Sequence, residues 1–440
     1  MPIRDLLLTV AIFGALPVCF FRPWIGLLVW NCVGIMAPQW LVWDFARSIP
    51  FAQLTAAATL PGLLLSNDRR SLPSTLEAWL LYALWAWFVV TTFFAVVPER
   101  AWDKLSSVSK SLLFVVIALS LFQDRRRLRY LLLVIAASIG FYGLKGGVFA
   151  LLTRTETNLV IPNGSSIGGN TGFGLALVMT LPLLFYLAAE EPRRWLRYVL
   201  QATFAASIAA TVFTYSRGAF LGLAAVLALL ALKRRRPAVL AAMLAIGVVV
   251  SSVAPQRWFE RVATIANYQT DDSAMSRLET WRLTVRFALD HPLFGGGFWS
   301  IENDDLYRTY LDSYTTAFNA HSIWFNMLGE HGFPGLALFV GLISACWLSL
   351  RALRKSRDGV SPSGWIVSYS HMLELALLGY VVSGTFLSVA YLELFYQLVG
   401  AIILLHVIAR RETAPEPAWI AVPHGEPGIG VNRVWDRWVR

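Results

Sequence analysis

The stretch GFGLALVMTLPLLFYLAAEEPRRWLRYVLQATFAASIAATVFTYSRGAFLGLAAVLALLALKRRRP, residues 172–237, decides the fold. It holds three apolar runs, at about 168–189, 197–214 and 218–232. The first two are separated by the basic link EPRRWLR (191–197). The last two meet at TYSRGAF (214–220) with almost no loop, and KRRRP (233–237) closes the third. An apolar run of about 18 residues or more is long enough to cross a hydrocarbon core of roughly 30 Å as a helix.

The same pattern extends outward over most of the 440 residues. Apolar residues make up 57% of the chain and charged ones 15%, against roughly a quarter charged in soluble domains. Further runs fall at about 5–22, 24–43, 50–66, 76–97, 105–122, 129–152, 238–253, 334–351, 367–389 and 391–408. Only Arg22 and Pro23 separate the first two, so the expected count is 12 to 13 spans. The expected class is an all-α polytopic membrane protein. Its regions would be a membrane region over 1–253, a large loop over 254–333, membrane helices over 334–408 and a Pro- and Gly-rich tail over 409–440. A second apolar run follows the first at once, so the first reads as an uncleaved helix and not a signal peptide.

A net charge of +10 invites a nucleic-acid reading, but the positions of the charges oppose it. QDRRRLR (123–129), EPRRWLR, KRRRP and RALRKSR (351–357) all lie in short links between apolar runs. Positively charged links mark the cytoplasmic side of a membrane protein. The links at 153–167 and 214–217 and the long segment 254–333 then face the other compartment, in a bacterial inner membrane the periplasm. Cys19, Cys32 and Cys346 sit in apolar runs without CxxC spacing and read as small buried hydrophobes.

The 254–333 segment carries the chemistry. Up to about residue 320 its basic residues are Arg257, Arg261, Arg277, Arg282, Arg286 and Arg308, with no lysine. Arginine offers a planar, two-pronged grip on phosphate, where lysine offers a mobile point charge. Most of these arginines are expected to pair with the loop's own acids. Within DDSAMSRLETWRLTVRFALDHPLFGGG (271–297), Ser276 and Glu279 form a capping box, with Asp272 and Ser273 as competing caps. A helix is expected from near Arg277 to about Leu289, ended by Asp290-His291-Pro292. Arg277, Trp281 and Thr284 then share one face, and Glu279, Arg282 and Arg286 another. Arg277 would lie in the first turn, where free N–H groups favour anions. The GGG at 295–297 reads chiefly as a flexible exit from that helix.

Arg217, between two apolar runs, is a costly charge at membrane depth and so a functional-site candidate, or else an arginine reaching to the headgroups. In FNAHSIWFNMLGEHGFPG (318–335), residues 322–330 read as a short surface helix and GEHGFPG as a turn. His331 is then a turn residue, while His321 stands apart on the same side as Arg217 and Arg277. No P-loop, HExxH or GxSxG is present. The acidic pairs Asp271-Asp272 and Asp304-Asp305 read as solvated, so neither a metal nor any other cofactor is expected.

These elements, in this order, resemble the O-antigen ligase and polymerase superfamily. The resemblance rests on Arg217 in SRGA, Arg277 in SRLETW, HPLFGGG, and His321 followed by Glu330, Gly332 and Gly335. DLLLTVAIFGALPVCFFRPWIGLLVW (5–30) and IGGNTGFGLALVMTLPLLF (167–185) look like the exosortase-associated O-glycosylation ligases, although an Asp-Asn expected near Asn170 is absent. The resemblance implies a glycosyltransferase-C-like membrane enzyme moving glycan from undecaprenyl diphosphate to an acceptor hydroxyl at the periplasmic face, in lipopolysaccharide biosynthesis. His321, Arg217 and Arg277 would be catalytic. Arg217, Arg277, Arg282, Arg286 and Trp281 would bind the donor, with Glu330 and Asn170 in support. The implied partners are the lipid-linked donor, a lipid A-core acceptor and membrane lipids, with no nucleic acid. Protein hydroxyls or a growing glycan are alternative acceptors. A polyprenyl-glycan transporter fits less well, since a transporter gathers its charges near the bilayer midplane.

Overall fold

The computed structural model describes residues 3–68, 70–153, 157–159, 167, 169–234, 272–311, 318–355 and 361–413. The regular elements among them are all helical: α1 (Ile3–Phe21), α2 (Pro23–Met36), α3 (Phe51–Leu65), α4 (Leu76–Thr92), α5 (Pro98–Leu121), α6 (Arg125–Thr153) and α7 (Gly169–Glu190). There follow α8 (Arg194–Val212), α9 (Arg217–Arg234), α10 (Asp272–Asp290), α11 (Asp304–Tyr310), α12 (Ile323–Ala352), α13 (Gly364–Gly384) and α14 (Glu393–Thr413). The span expected at 238–253, Arg257, Arg261, Asp271 and the tail beyond residue 413 lie outside the described residues.

The chain is a polytopic helical membrane protein. Seven of the described helices are long and apolar enough to cross a bilayer: α1, α5, α6, α7, α12, α13 and α14. The other expected runs among the described residues also form helices, α2, α3, α4, α8 and α9, but these fall short of that length or apolarity, so seven of the expected 12 to 13 meet it. The run 24–43 stops after 14 helical residues because Ala37 turns left-handed (φ 45°) ahead of Pro38. Apolar helices α3 and α4 have only 15 and 17 residues. The Arg22-Pro23 break between α1 and α2 is present as expected. Proline opens α2, where its missing N–H has no bond to lose.

Ion pairs knit the ends of these helices on one face. Arg127 meets Asp68 at 2.9 Å, Arg129 meets Glu191 at 2.7 Å, and Glu374 receives Lys233 at 2.6 Å and Arg354 at 2.7 Å. This is the basic face. Helix alternation puts the turns after α2, α4, α8 and α13 on the opposite face, together with residues 272–311 and 318–322. The start of α1 lies there too, since the Asp5 carboxylate accepts the N–H groups of Trp43, Asp44 and Ala46 at 3.3, 3.0 and 3.2 Å. A helix apolar on every side belongs in an interior. Accordingly α7 is buried along nearly its whole length, packed by α6, α8, α9 and α13.

Two features shape the site. First, α12 begins at Ile323, so the helix expected to lie on the surface over 322–330 is its first segment, with Asn326 to His331 all buried. The break after it comes from Gly332 (φ 67°, ψ −172°) and from Pro334, which has no N–H to donate. Second, within the long segment residues 272–311 fold as a small helical unit, in keeping with the helix expected from near Arg277. Leu283, Phe287, Ile301, Leu306 and Tyr307 form its core and close on Ala320, one residue before His321.

Candidate active site

Three helix starts converge on the end of α13. Ser216 caps α9, its hydroxyl accepting the Ala219 N–H at 3.3 Å, and Arg217 follows as the first helical residue, half-buried. Asn170, at the start of α7, donates from its side-chain amide to the Thr214 carbonyl at 2.9 Å and so holds the turn that presents Arg217. The α9 start is pressed against the end of α13, where a Cβ on Gly218 would lie 3.2 Å from the Ser383 carbonyl. The α12 start packs on the same end, with Trp324 donating its indole N–H to Thr385 at 3.0 Å. Arg217 and His321 thus flank one turn, residues 383–391.

His321 occupies a left-handed backbone conformation (φ 45°), which non-glycine residues adopt only when surroundings hold them there. Its N–H donates to the Ser388 hydroxyl at 2.7 Å. That hydroxyl in turn donates to the Asn319 side-chain carbonyl, and the Asn319 amide donates to Glu302 at 2.6 Å. Behind it, Trp281 stacks on Phe325 with centroids 4.8 Å apart and donates to the Ala320 carbonyl at 2.7 Å. Tyr307 donates to the Phe318 carbonyl at 2.5 Å. The backbone that carries the imidazole is therefore fixed by contacts on both sides.

Electrostatics make it a neutral imidazole at neutral pH. Burial, and secondly the Arg277 guanidinium, bring the His321 pKa down to about 4. Arg277 lies on α10 with Trp281 and Thr284 facing the 318–325 strip, but not in the first turn. The helix starts at Asp272, so Arg277 is its sixth residue and the helix dipole, spent within the first turn, no longer explains it. Ser276 and Glu279 accordingly do not open the helix. Arg282 and Arg286 point to other sides of α10, and both are exposed. They stand apart from His321, and among the described residues no ion pair joins them to Glu279, the partner expected for them.

No sequence motif points to the opposite wall. Arg100 and Lys104, one turn apart on α5, lie over Trp299 and Tyr391, each 5.5 Å from the ring centroid. Both act on Glu302, whose pKa is raised because burial outweighs their attraction. Residue spacing gives no signal here, since α5 comes from nearly 200 residues upstream of Trp299.

Two elements expected to be passive are structurally specific. The glycines at 295–297 are not a flexible exit. Gly296 and Gly297 donate their N–H groups to the carbonyls of Gly329 and Glu330 at 2.9 and 2.8 Å, leaving none of that pair for a phosphate. Gly297 (φ 70°) also lies where a Cβ would come within 2.5 Å of Ala95. His331, expected as a turn residue, is buried in α12 just before the Gly332 kink. Its Nδ1 meets the Thr91 hydroxyl at 2.7 Å and its Nε2 the Tyr391 hydroxyl at 2.8 Å. Tyr391 donates onward to Glu330, whose other oxygen accepts the Trp299 N–H at 3.0 Å. This buried chain clamps α4, α12, the 295–299 loop and the turn after α13 together. Among the described residues no group of three or more His, Cys, Asp and Glu gathers to hold a metal. Asp304 and Asp305 open α11, where acids suit the helix dipole, and Asp305 pairs with Arg308 at 3.6 Å.

Residues 3–191 match a family of unknown function (DUF5935). Residues 202–340 match the family described as O-Antigen ligase, a segment that contains Arg217, Arg277, His321 and Glu330. No curated protein matches the chain. Within a helical membrane fold, residues 202–340 are thus an O-antigen ligase family domain, and it carries the motif residues Arg217, Arg277 and His321.

Proposed function

We propose that this protein is an O-antigen ligase. It transfers a glycan from undecaprenyl diphosphate to a hydroxyl of the lipid A-core oligosaccharide, at the periplasmic face of a Gram-negative inner membrane. The observation that carries the reading is His321, a neutral imidazole on a backbone held by Ser388 and under the influence of Arg277.

The chemistry follows from those charges. Arg277 and Arg217 take the donor diphosphate, and their cations stabilise the charge that builds on it as the bond to the sugar breaks. An anion on Arg277 offsets the guanidinium's pull on His321, so the imidazole becomes more basic once the donor is bound. His321 then removes the acceptor hydroxyl's proton as the oxygen attacks the anomeric carbon. The new C–O bond forms opposite the departing diphosphate, which inverts the centre and leaves undecaprenyl diphosphate. The proton passes from His321 to solvent. No metal is needed where two arginines offset the leaving group's charge.

A second reading keeps the donor and replaces the acceptor by a protein serine or threonine. It is favoured by the origin of the wall formed by Arg100 and Lys104. Those residues come from the 3–191 segment, outside the region matched by the ligase family, and would make an acceptor side particular to this chain. The test is transfer from purified polyprenyl-diphosphate glycan to lipid A core or to a peptide, with and without EDTA. Transfer to the core that survives EDTA and fails in His321→Ala supports the first reading. Transfer to the peptide alone replaces it by the second, and loss with EDTA overturns the metal-free mechanism.

A further inference from the structure

On the basic face, away from His321, the ends of α4, α12, α13 and α14 enclose a cleft of about 410 Å³. Its position fixes its surroundings, because these are the ends that carry the basic links. Leu76 and Leu348 form its outer wall and are 66% and 65% exposed, so the cleft opens sideways into lipid. Lys355, just past the end of α12, and Arg410, in the last turn of α14, line its rim, and both are exposed.

The floor lies about one helical turn deeper. His406 uses Nδ1 toward the Ser349 hydroxyl at 2.9 Å and toward Glu77 at 3.2 Å. His406 lines the cleft together with both of these partners. One wall is thus hydrocarbon, the rim holds two cations at headgroup depth, and the floor is polar but already internally bonded. Basic pockets between helices on this side of a membrane bind anionic lipid headgroups, and each nearby Lys or Arg strengthens the attraction.

We propose that this cleft is a binding site for an anionic phospholipid of the basic-face leaflet. The phosphate sits between Lys355 and Arg410, and one acyl chain runs along Leu348 and Leu76. The site is separate from the transfer centre and stands whether or not the chain moves a glycan.

Delipidated full-length protein in detergent, titrated with phosphatidylglycerol or phosphatidylcholine and read by native mass spectrometry, tests it. Two surface cations predict about a thirtyfold preference for phosphatidylglycerol. Lys355→Gln with Arg410→Gln should abolish that preference, and His321→Ala should keep it. Equal retention of the two lipids, or an unchanged preference in the double variant, overturns the proposal. So does retention that appears only after truncation at residue 413, which would make the chain's own C-terminal residues the occupant. Displacement of phosphatidylglycerol by undecaprenyl phosphate in a Lys355-dependent way would reassign the cleft to the donor lipid.

Discussion

The backbone N–H of His321 donates to the hydroxyl of Ser388 at 2.7 Å, across 67 residues of chain. That bond ties the start of α12 to the turn after α13, and it holds a histidine in a backbone conformation that histidine rarely adopts. The proposed base is therefore positioned by a residue with no chemistry of its own.

Ser388→Ala removes this acceptor and the partner of Asn319 together. Transfer should fall by about tenfold in kcat with little change in donor KM, because geometry is lost while the arginines remain. Steady-state kinetics decide it; a KM effect alone would mean that Ser388 serves binding.

His321→Ala should reduce transfer by a factor of about 10² to 10⁴, the usual contribution of a positioned base. Donor binding, measured separately, should persist. Wild-type activity in this variant removes His321 from the mechanism.

Arg277→Ala takes away the second cause of the depressed His321 pKa. The acid limb of kcat/KM should then move from about 4 toward, though not to, the ordinary value, since burial remains. The stability consequence has a definite sign. The folded protein resists protonating His321, so between the ordinary histidine value and about 4 the unfolded chain binds more protons, and stability falls as pH falls through that window. Histidine NMR titration of wild type and variant follows the pKa, and thermal unfolding across the same window follows the stability. Arg277→Lys should keep the pKa low and still weaken the donor, because the two-pronged contact is gone.

Tyr391→Phe deletes the hydroxyl shared by Glu330 and His331, leaving two buried polar groups each short of a partner. A loss of about 1–3 kcal/mol is expected. Thermal unfolding of the purified protein checks it, and an unchanged midpoint would show that water replaces the hydroxyl.

Gly332→Ala should be more harmful. The position has φ 67°, and a Cβ would lie 2.3 Å from the Leu293 carbonyl, so backbone strain of about 1–3 kcal/mol adds to a clash with main chain. Poor recovery of folded protein is the expected readout. Gly341→Ala in the same helix, where a Cβ meets nothing closer than 3.8 Å, should be tolerated.

Much of the fold is legible because its signals are local. A run such as 172–188 is apolar on all sides and specifies a buried membrane helix wherever it is placed. The charges of EPRRWLR and KRRRP mark the basic face for the same reason. Helix ends are less legible. The run 24–43 looks continuous, yet Ala37 and Pro38 end the helix. GEHGFPG looks like a loop, yet neighbouring helices carry α12 through it around one glycine.

By itself, the sequence determined that the chain crosses a membrane many times, which face is basic, and which arginines and histidine stand out against that background. Only the tertiary structure decided that His331 is a buried bridge, that Arg282 and Arg286 face away, and that Asn319, Glu302 and Ser388 hold the backbone of His321 opposite Arg100 and Lys104. The reason is physical. Apolar burial and charge placement sum over neighbouring residues, whereas the pKa of His321 and its held backbone depend on contacts with Arg277 and Ser388, which only folding brings near.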